Sequence, residues 1–157
     1  MENRIITGTE NVDDLPELLQ IISLFYRAFN NKDLAGLRNN WATSGGLMIY
    51  NPGGGVRKSW EEIEVIYKGI FNAEFNVKAE FSDYTVVNFP NVFVVYGKET
   101  ATISNGAAEP AVIDVRITRI YNLISGAWKQ IHLHGSIDNP EALALYQRVT
   151  GIKNPVR

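Results

Sequence analysis

Apolar residues recur at helical spacing early in the chain. Leu15, Leu18, Leu19, Ile22, Phe25, Tyr26 and Phe29 fall on one face of an amphipathic helix that ends near Asn30. Asp14 and Glu17 have the spacing of a capping box, with Pro16 tolerated in the first turn. Asp33 is a second cap, opening a short helix whose apolar side is Leu34, Leu37 and Trp41. Leu47 to Tyr50 predicts a short strand, stopped by the turn residues Asn51-Pro52-Gly53-Gly54-Gly55. Ser59 and Glu62 form another capping box, and the helix after it places Ile63, Ile66, Tyr67, Ile70 and Phe71 together.

The period then changes to two. Phe75, Val77, Ala79 and Phe81 alternate with polar residues, and the extended pattern continues from Tyr84 to Phe89. Val92 to Ile103, Val112 to Ile124 and Trp128 to Ile137 are further strands, separated by Phe89-Pro90-Asn91, the loop from Ser104 to Pro110, and Ser125-Gly126. Asn139-Pro140 then caps a last helix carrying Leu143, Tyr146 and Val149, which Gly151 ends. Long consecutive strands with short connections must be antiparallel. Helices gathered before such a sheet cover one face, the α+β solution. A single domain over residues 1–157 is expected.

Composition narrows the function. The chain has 157 residues, 45% hydrophobic and 20% charged, enough to bury its own core. A net charge of −2 without a basic cluster argues against nucleic acid as a partner. The absence of cysteine removes disulfides, thiolate metal sites and a Cys nucleophile. Met1 to Asp14 are polar and lack the pattern of a secretory signal, and no apolar run is long enough to span a bilayer. A cytoplasmic protein without a membrane partner is expected. The run Gly53-Gly54-Gly55 lacks the Lys and Ser/Thr of a phosphate loop, and no cofactor is expected.

Two strands carry a recognisable pattern. Thr118-Arg119-Ile120-Tyr121 is followed by Trp128-Lys129-Gln130-Ile131-His132-Leu133-His134-Gly135-Ser136. This pair resembles the last hairpin of the association domain of calcium/calmodulin-dependent protein kinase II, and SnoaL-like bacterial domains look similar. Phe29 to Pro52 resembles the helix, helix start and strand-to-Pro turn of the same nuclear transport factor 2-like superfamily. The resemblance implies a cone-shaped, curved antiparallel sheet with the N-terminal helices on its concave face, as in ketosteroid isomerases and cystatins. It implies a pocket between the helices and that face, and a homodimer through the convex face.

Strand parity assigns the candidate residues. Ile113, Val115, Ile117, Arg119 and Tyr121 share one side of their strand, so Arg119 stands at the end of a core face. A guanidinium there needs a partner. Either it holds the carboxylate of a small ligand, as the resemblance implies, or it pairs with an acid of its own chain or emerges at the sheet edge. In the kinase domain a second pocket arginine stands where this chain has Gly135; Lys98 is a candidate for a third basic position. Tyr26, Trp41, Tyr50, Tyr67, Phe71 and Tyr121 lie on or beside apolar faces and are candidate pocket or core residues.

His132 and His134 share a strand face about 6.5–7 Å apart, with no third ligand at metal-site spacing, so no metal is expected. Continuous alternation puts Ile131 and Leu133 toward the pocket. It puts Trp128, Gln130, His132 and His134 on the dimer-facing side. Relative to ketosteroid isomerases, the general base corresponds to Asn51 and the oxyanion donor to Phe25, neither of which can do that chemistry. Tyr26 is displaced by about 100° around the helix. Two functions follow: a self-associating module binding a small apolar or carboxylate-bearing molecule, or a small isomerase, cyclase or dehydratase whose pocket acid the sequence does not identify.

Overall fold

The computed structural model describes residues 4–151; the outermost ends of the expected 1–157 domain lie outside them. Among the described residues, the four α-helices are α1 (Glu17–Asn30), α2 (Leu34–Asn40), α3 (Trp60–Phe71) and α4 (Pro140–Thr150). The six strands are β1 (Met48–Tyr50), β2 (Val56–Arg57), β3 (Asn76–Asn88), β4 (Val92–Ser104), β5 (Ala111–Ile124) and β6 (Ala127–Ser136). No described helix is long and apolar enough to cross a membrane.

The helices form where the apolar spacing requires. Ile22, Phe25, Tyr26 and Phe29 of α1 are buried, as are Ile63, Ile66, Tyr67 and Ile70 of α3. Asp33 caps α2 by accepting from Gly36 N at 2.9 Å. Asn139 caps α4 by accepting from the Glu141 and Ala142 amides, and Gly151 ends it with φ of 68°. The expected Asp14–Glu17 capping box does not form. Asp14 belongs to a 3₁₀ turn, Val12–Asp14, and Pro16, with extended ψ, becomes the N-cap residue. Asp14 instead accepts from Asn11 Nδ2, and Glu17 from Trp128 Nε1. The second capping box forms with a shift: Ser59 Oγ accepts from Glu62 N, while the Glu62 carboxylate reaches back to Lys58 N at 2.7 Å.

The curved, unclosed sheet has the order β2-β1-β6-β5-β4-β3. Neighbours are antiparallel except β1 and β6, whose parallel pairing sets Ile49 opposite Leu133 and Tyr50 opposite His134. The strand β2, two residues long, is too short for its alternation to be read from sequence. The helices cover the inner face, which carries Ala79 and Phe81 of β3, Phe93, Val95, Ala101 and Ile103 of β4, and Ile113, Val115, Ile117 and Tyr121 of β5, all buried.

Two bulges bend the sheet and decide which side chains face inward. Between Ser82 and Thr85 the β3 register slips, and Asp83 takes φ of 49°. The bulge crosses β4 at Gly97, where a Cβ would lie 2.8 Å from the Tyr84 Cα. In β6 the pairing jumps from Ile120–His132 to Tyr121–Gln130, leaving Ile131 as the extra residue. An extra residue reverses the alternation beyond it. Gln130 is therefore fully buried, and Ile131 is only half-buried. This corrects the expected parity for one half of β6: Leu133 faces inward and the imidazoles outward, but Gln130 and Trp128 turn to the helix side.

Candidate functional site

A cavity lies between the helices and the inner face. Phe25 and Phe29 of α1, Ile66, Tyr67 and Ile70 of α3, and Val77, Ala79, Ala101, Ile103, Ile117 and Leu133 of the sheet supply its apolar lining. Asn51 and Pro52 of the turn after β1 and Tyr146, Val149 and Thr150 of α4 complete it. Two charged residues join this wall, Arg119 and Glu99.

They face each other. Arg119 Nη2 is 3.0 Å from Glu99 Oε2, with side-chain exposures of 1% and 17%. The same Nη2 donates to the Tyr26 hydroxyl at 3.2 Å, and that hydroxyl donates to Glu99 Oε2 at 2.7 Å. Nη1 donates to Gln130 Oε1 at 2.9 Å. The guanidinium carbon sits 3.9 Å from the centroid of the Phe25 ring, a cation–π contact. An arginine of a core face thus pairs with an acid of its own chain, the second of the two alternatives its strand position allowed, while its buried Nε has no hydrogen-bond partner.

Electrostatics follow from this packing. Burial opposes the charge of Arg119, but Tyr26, Tyr121 and Glu99 outweigh it and hold the guanidinium protonated. Burial raises Tyr26 and Tyr67 well above the usual phenol range, so both hydroxyls remain protonated. Tyr121 is pushed up to about 12 by burial, against the opposing field of Arg119. Its hydroxyl makes no hydrogen bond of normal geometry.

The other candidates separate. Tyr67 lines the cavity, and its hydroxyl accepts from Trp41 Nε1 at 3.2 Å, so Trp41 stands buried behind it. Tyr26 backs the wall through Arg119 and Glu99. Tyr121 packs away from the cavity, stacked on Phe93 at 4.6 Å, and Trp128 meets Phe93 edge-on at 5.0 Å. Tyr50 is not a pocket residue: Ile49 is its strand's inward position, and Tyr50 stands 41% exposed on the outer face. Its ring lies 5.7 Å from that of His132 and 5.4 Å from that of His134. Lys98, one residue from inward-facing Glu99, also points outward, toward Asp83 at 3.6 Å and Asp114 at 3.9 Å. Of the four residues expected at a dimer face, only His132 and His134 lie outside. Burial and the neighbouring His134 lower the His132 pKa.

Glu99 is the site residue that the sequence reading passed over. The signal was present: Glu99 has the same strand parity as Val95, Ala101 and Ile103, so it had to share their buried side. Asn51 and Phe25, the positions where ketosteroid isomerases hold base and donor, do line the cavity.

The SnoaL-like domain family matches residues 18–140. The chain belongs to the SnoaL-like family. Solved structures named as nuclear transport factor 2-like share the fold of this SnoaL-like domain. A protein from Xanthomonas campestris named for the calcium/calmodulin-dependent protein kinase II association domain is 20% identical, with a TM-score of 0.68 over 80% of this chain and 87% of its own. An NTF2-like family protein from Streptomyces avermitilis, named as a dehydratase, is 21% identical, with a TM-score of 0.66 over 81% and 97%. The CaMKII hub of S. rosetta is 15% identical, with a TM-score of 0.66 over 76% and 93%. At these identities the likeness is one of fold. No curated protein matches the sequence.

Proposed function

We propose that this SnoaL-like domain is a self-associating module whose cavity holds a small, largely apolar molecule. The observation that carries the reading is the Arg119–Glu99 pair set in an otherwise apolar wall. A buried ion pair is often no more stable than well-packed hydrophobic residues of the same volume, so stability alone gives no reason to keep one beside a cavity. A site with apolar walls and a few fixed polar groups is the usual form of a small-molecule pocket.

Self-association is supported by the outer face. Tyr96, Thr118, His134 and Tyr50 stand side by side across four strands by their pairing, with Tyr96 46% and Tyr50 41% exposed. Such aromatic residues on a sheet face suit a protein interface, and two of the fold relatives are named as association or hub domains. Light scattering tests this directly. The chain should run as a dimer and Tyr96→Glu as a folded monomer; a monomeric parent chain would remove the proposal.

One observation favours a second reading, a small isomerase or dehydratase. Glu99 supplies the carboxyl group at the cavity that such chemistry needs. Deuterium exchange α to the carbonyl of a small cyclic ketone tests it. Catalysis by the parent chain that is lost in a Glu99→Gln variant still folded by circular dichroism would support an enzyme; no exchange above buffer would leave the module.

A further inference from the structure

The hydrogen-bond pattern around Glu99 carries the ligand reading further. We infer that the molecule taken by this cavity is a small neutral alcohol or phenol whose hydroxyl donates to Glu99 Oε1. This rests on the proposal that the cavity is a ligand site.

An ionised carboxylate accepts through both oxygens. Here both donors, the Tyr26 hydroxyl at 2.7 Å and Arg119 Nη2 at 3.0 Å, go to Oε2. Oε1 has no hydrogen-bond partner among the described residues, and Glu99 belongs to the cavity wall. The wall therefore offers a fixed, charged acceptor.

Arg119 offers much less. Nη1 is engaged by Gln130, Nη2 by Tyr26 and Glu99, Nε is buried without a partner, and one face of the guanidinium is covered by Phe25 at 3.9 Å. Two-point recognition of a carboxylate needs a free edge of the guanidinium. A ligand carboxylate would have to displace Glu99 while meeting the like charge of Oε1. An ammonium group fares poorly for the opposite reason: Arg119 already balances Glu99, and a second buried cation beside it has no counter-charge. A neutral hydroxyl adds no charge and gains a hydrogen bond to an ionised acceptor.

The free volume sets the size. It is about 60 Å³, smaller than the roughly 150 Å³ of an apolar cavity that takes benzene. A single small ring is therefore the upper limit, and it fits only if the wall yields. Val149 and Tyr146 of α4 bound the space on one side.

The test is calorimetric titration of the whole chain at neutral pH with phenol, toluene, benzoate and benzylamine, which keep the ring and change its polar group. Phenol should bind at least about tenfold more tightly than toluene, the gain of one charge-assisted hydrogen bond. Benzoate and benzylamine should bind more weakly than toluene. Toluene or benzoate binding as tightly as phenol would overturn the hydroxyl assignment while leaving a ligand pocket. Failure of all four to bind would remove the pocket reading and this inference with it. Because Glu99→Gln leaves Arg119 without its counter-charge and so risks misfolding, the second arm is the Arg119→Met/Glu99→Leu double variant. It should keep toluene and bring phenol down to the same affinity. An unchanged phenol preference in that variant would place the hydroxyl elsewhere and sink the assignment.

Discussion

Arg119 reaches Glu99 along the inner face of the sheet rather than straight across it. In the β4–β5 pairing Arg119 lies opposite Val95 and Glu99 opposite Val115, yet the two side chains meet at 3.0 Å. Both belong to one cluster with Tyr26 and Gln130, drawn from α1, β4, β5 and β6.

Removing one partner of this pair should hurt more than removing both. Glu99→Leu strands a buried guanidinium and is expected to cost about 3 kcal/mol, and Arg119→Met a comparable amount. The Arg119→Met/Glu99→Leu double variant should be clearly more stable than the sum of the two losses predicts. Urea unfolding of the four proteins measures the difference. Additive losses would mean that the two residues do not stabilise each other.

The β6 bulge makes an opposed pair of predictions. Gln130→Leu removes the acceptor of Arg119 Nη1 and should cost about 1–3 kcal/mol. His134→Ala, on the outer face, should leave the stability of the monomer within about 0.5 kcal/mol. Equal losses in a denaturant comparison would contradict the assigned directions.

Gly135 is held to glycine by the turn after β1. A Cβ there would lie 2.5 Å from Pro52 Cγ and 3.1 Å from Ile117 Cδ1. Gly135→Ala should destabilise by about 1–3 kcal/mol, and Pro52→Ala should recover part of that. The pocket arginine of the kinase domains has no room at this position unless Pro52 moves. A neutral Gly135→Ala in thermal unfolding would show that the turn yields freely.

Glu10 predicts an acid limit. Burial works against its charge, but hydrogen bonds from Ser23 and from the Thr7 amide and hydroxyl prevail and lower its pKa to about 2. Its folded pKa lies below the unfolded one, so its contribution is complete above the ordinary carboxylate range and is lost as pH falls toward 2. Stability should decline over that acid window, less steeply in Glu10→Gln. Parallel slopes for the two proteins would refute the assignment.

Much of this was legible in the sequence. The helices, the four long strands and the inward direction of Arg119 follow from spacing alone, because a half-buried element must repeat its apolar residues. What escaped has physical causes. Capping at Asp14 failed because Pro16 took the N-cap position instead. Trp128 and Gln130 were misdirected because Ile131 is a bulge, and one inserted residue reverses every side chain beyond it without marking the composition. Tyr50 and Lys98 could have been directed by their neighbours: Ile49 and Glu99 share the apolar parity of their strands, which sends the adjacent side chains out. Glu99 could not be paired with Arg119 from the sequence, because the two lie on different strands and come close only across the folded sheet.

The most direct measurement is diffraction from crystals of the chain grown with phenol. The account predicts a ring in the cavity between the α3 and sheet residues, with its hydroxyl within hydrogen-bond distance of Glu99 Oε1 and the Arg119–Glu99 contact intact. A ring bound only on the outer surface, or a cavity ligand whose hydroxyl turns away from Glu99, would contradict it.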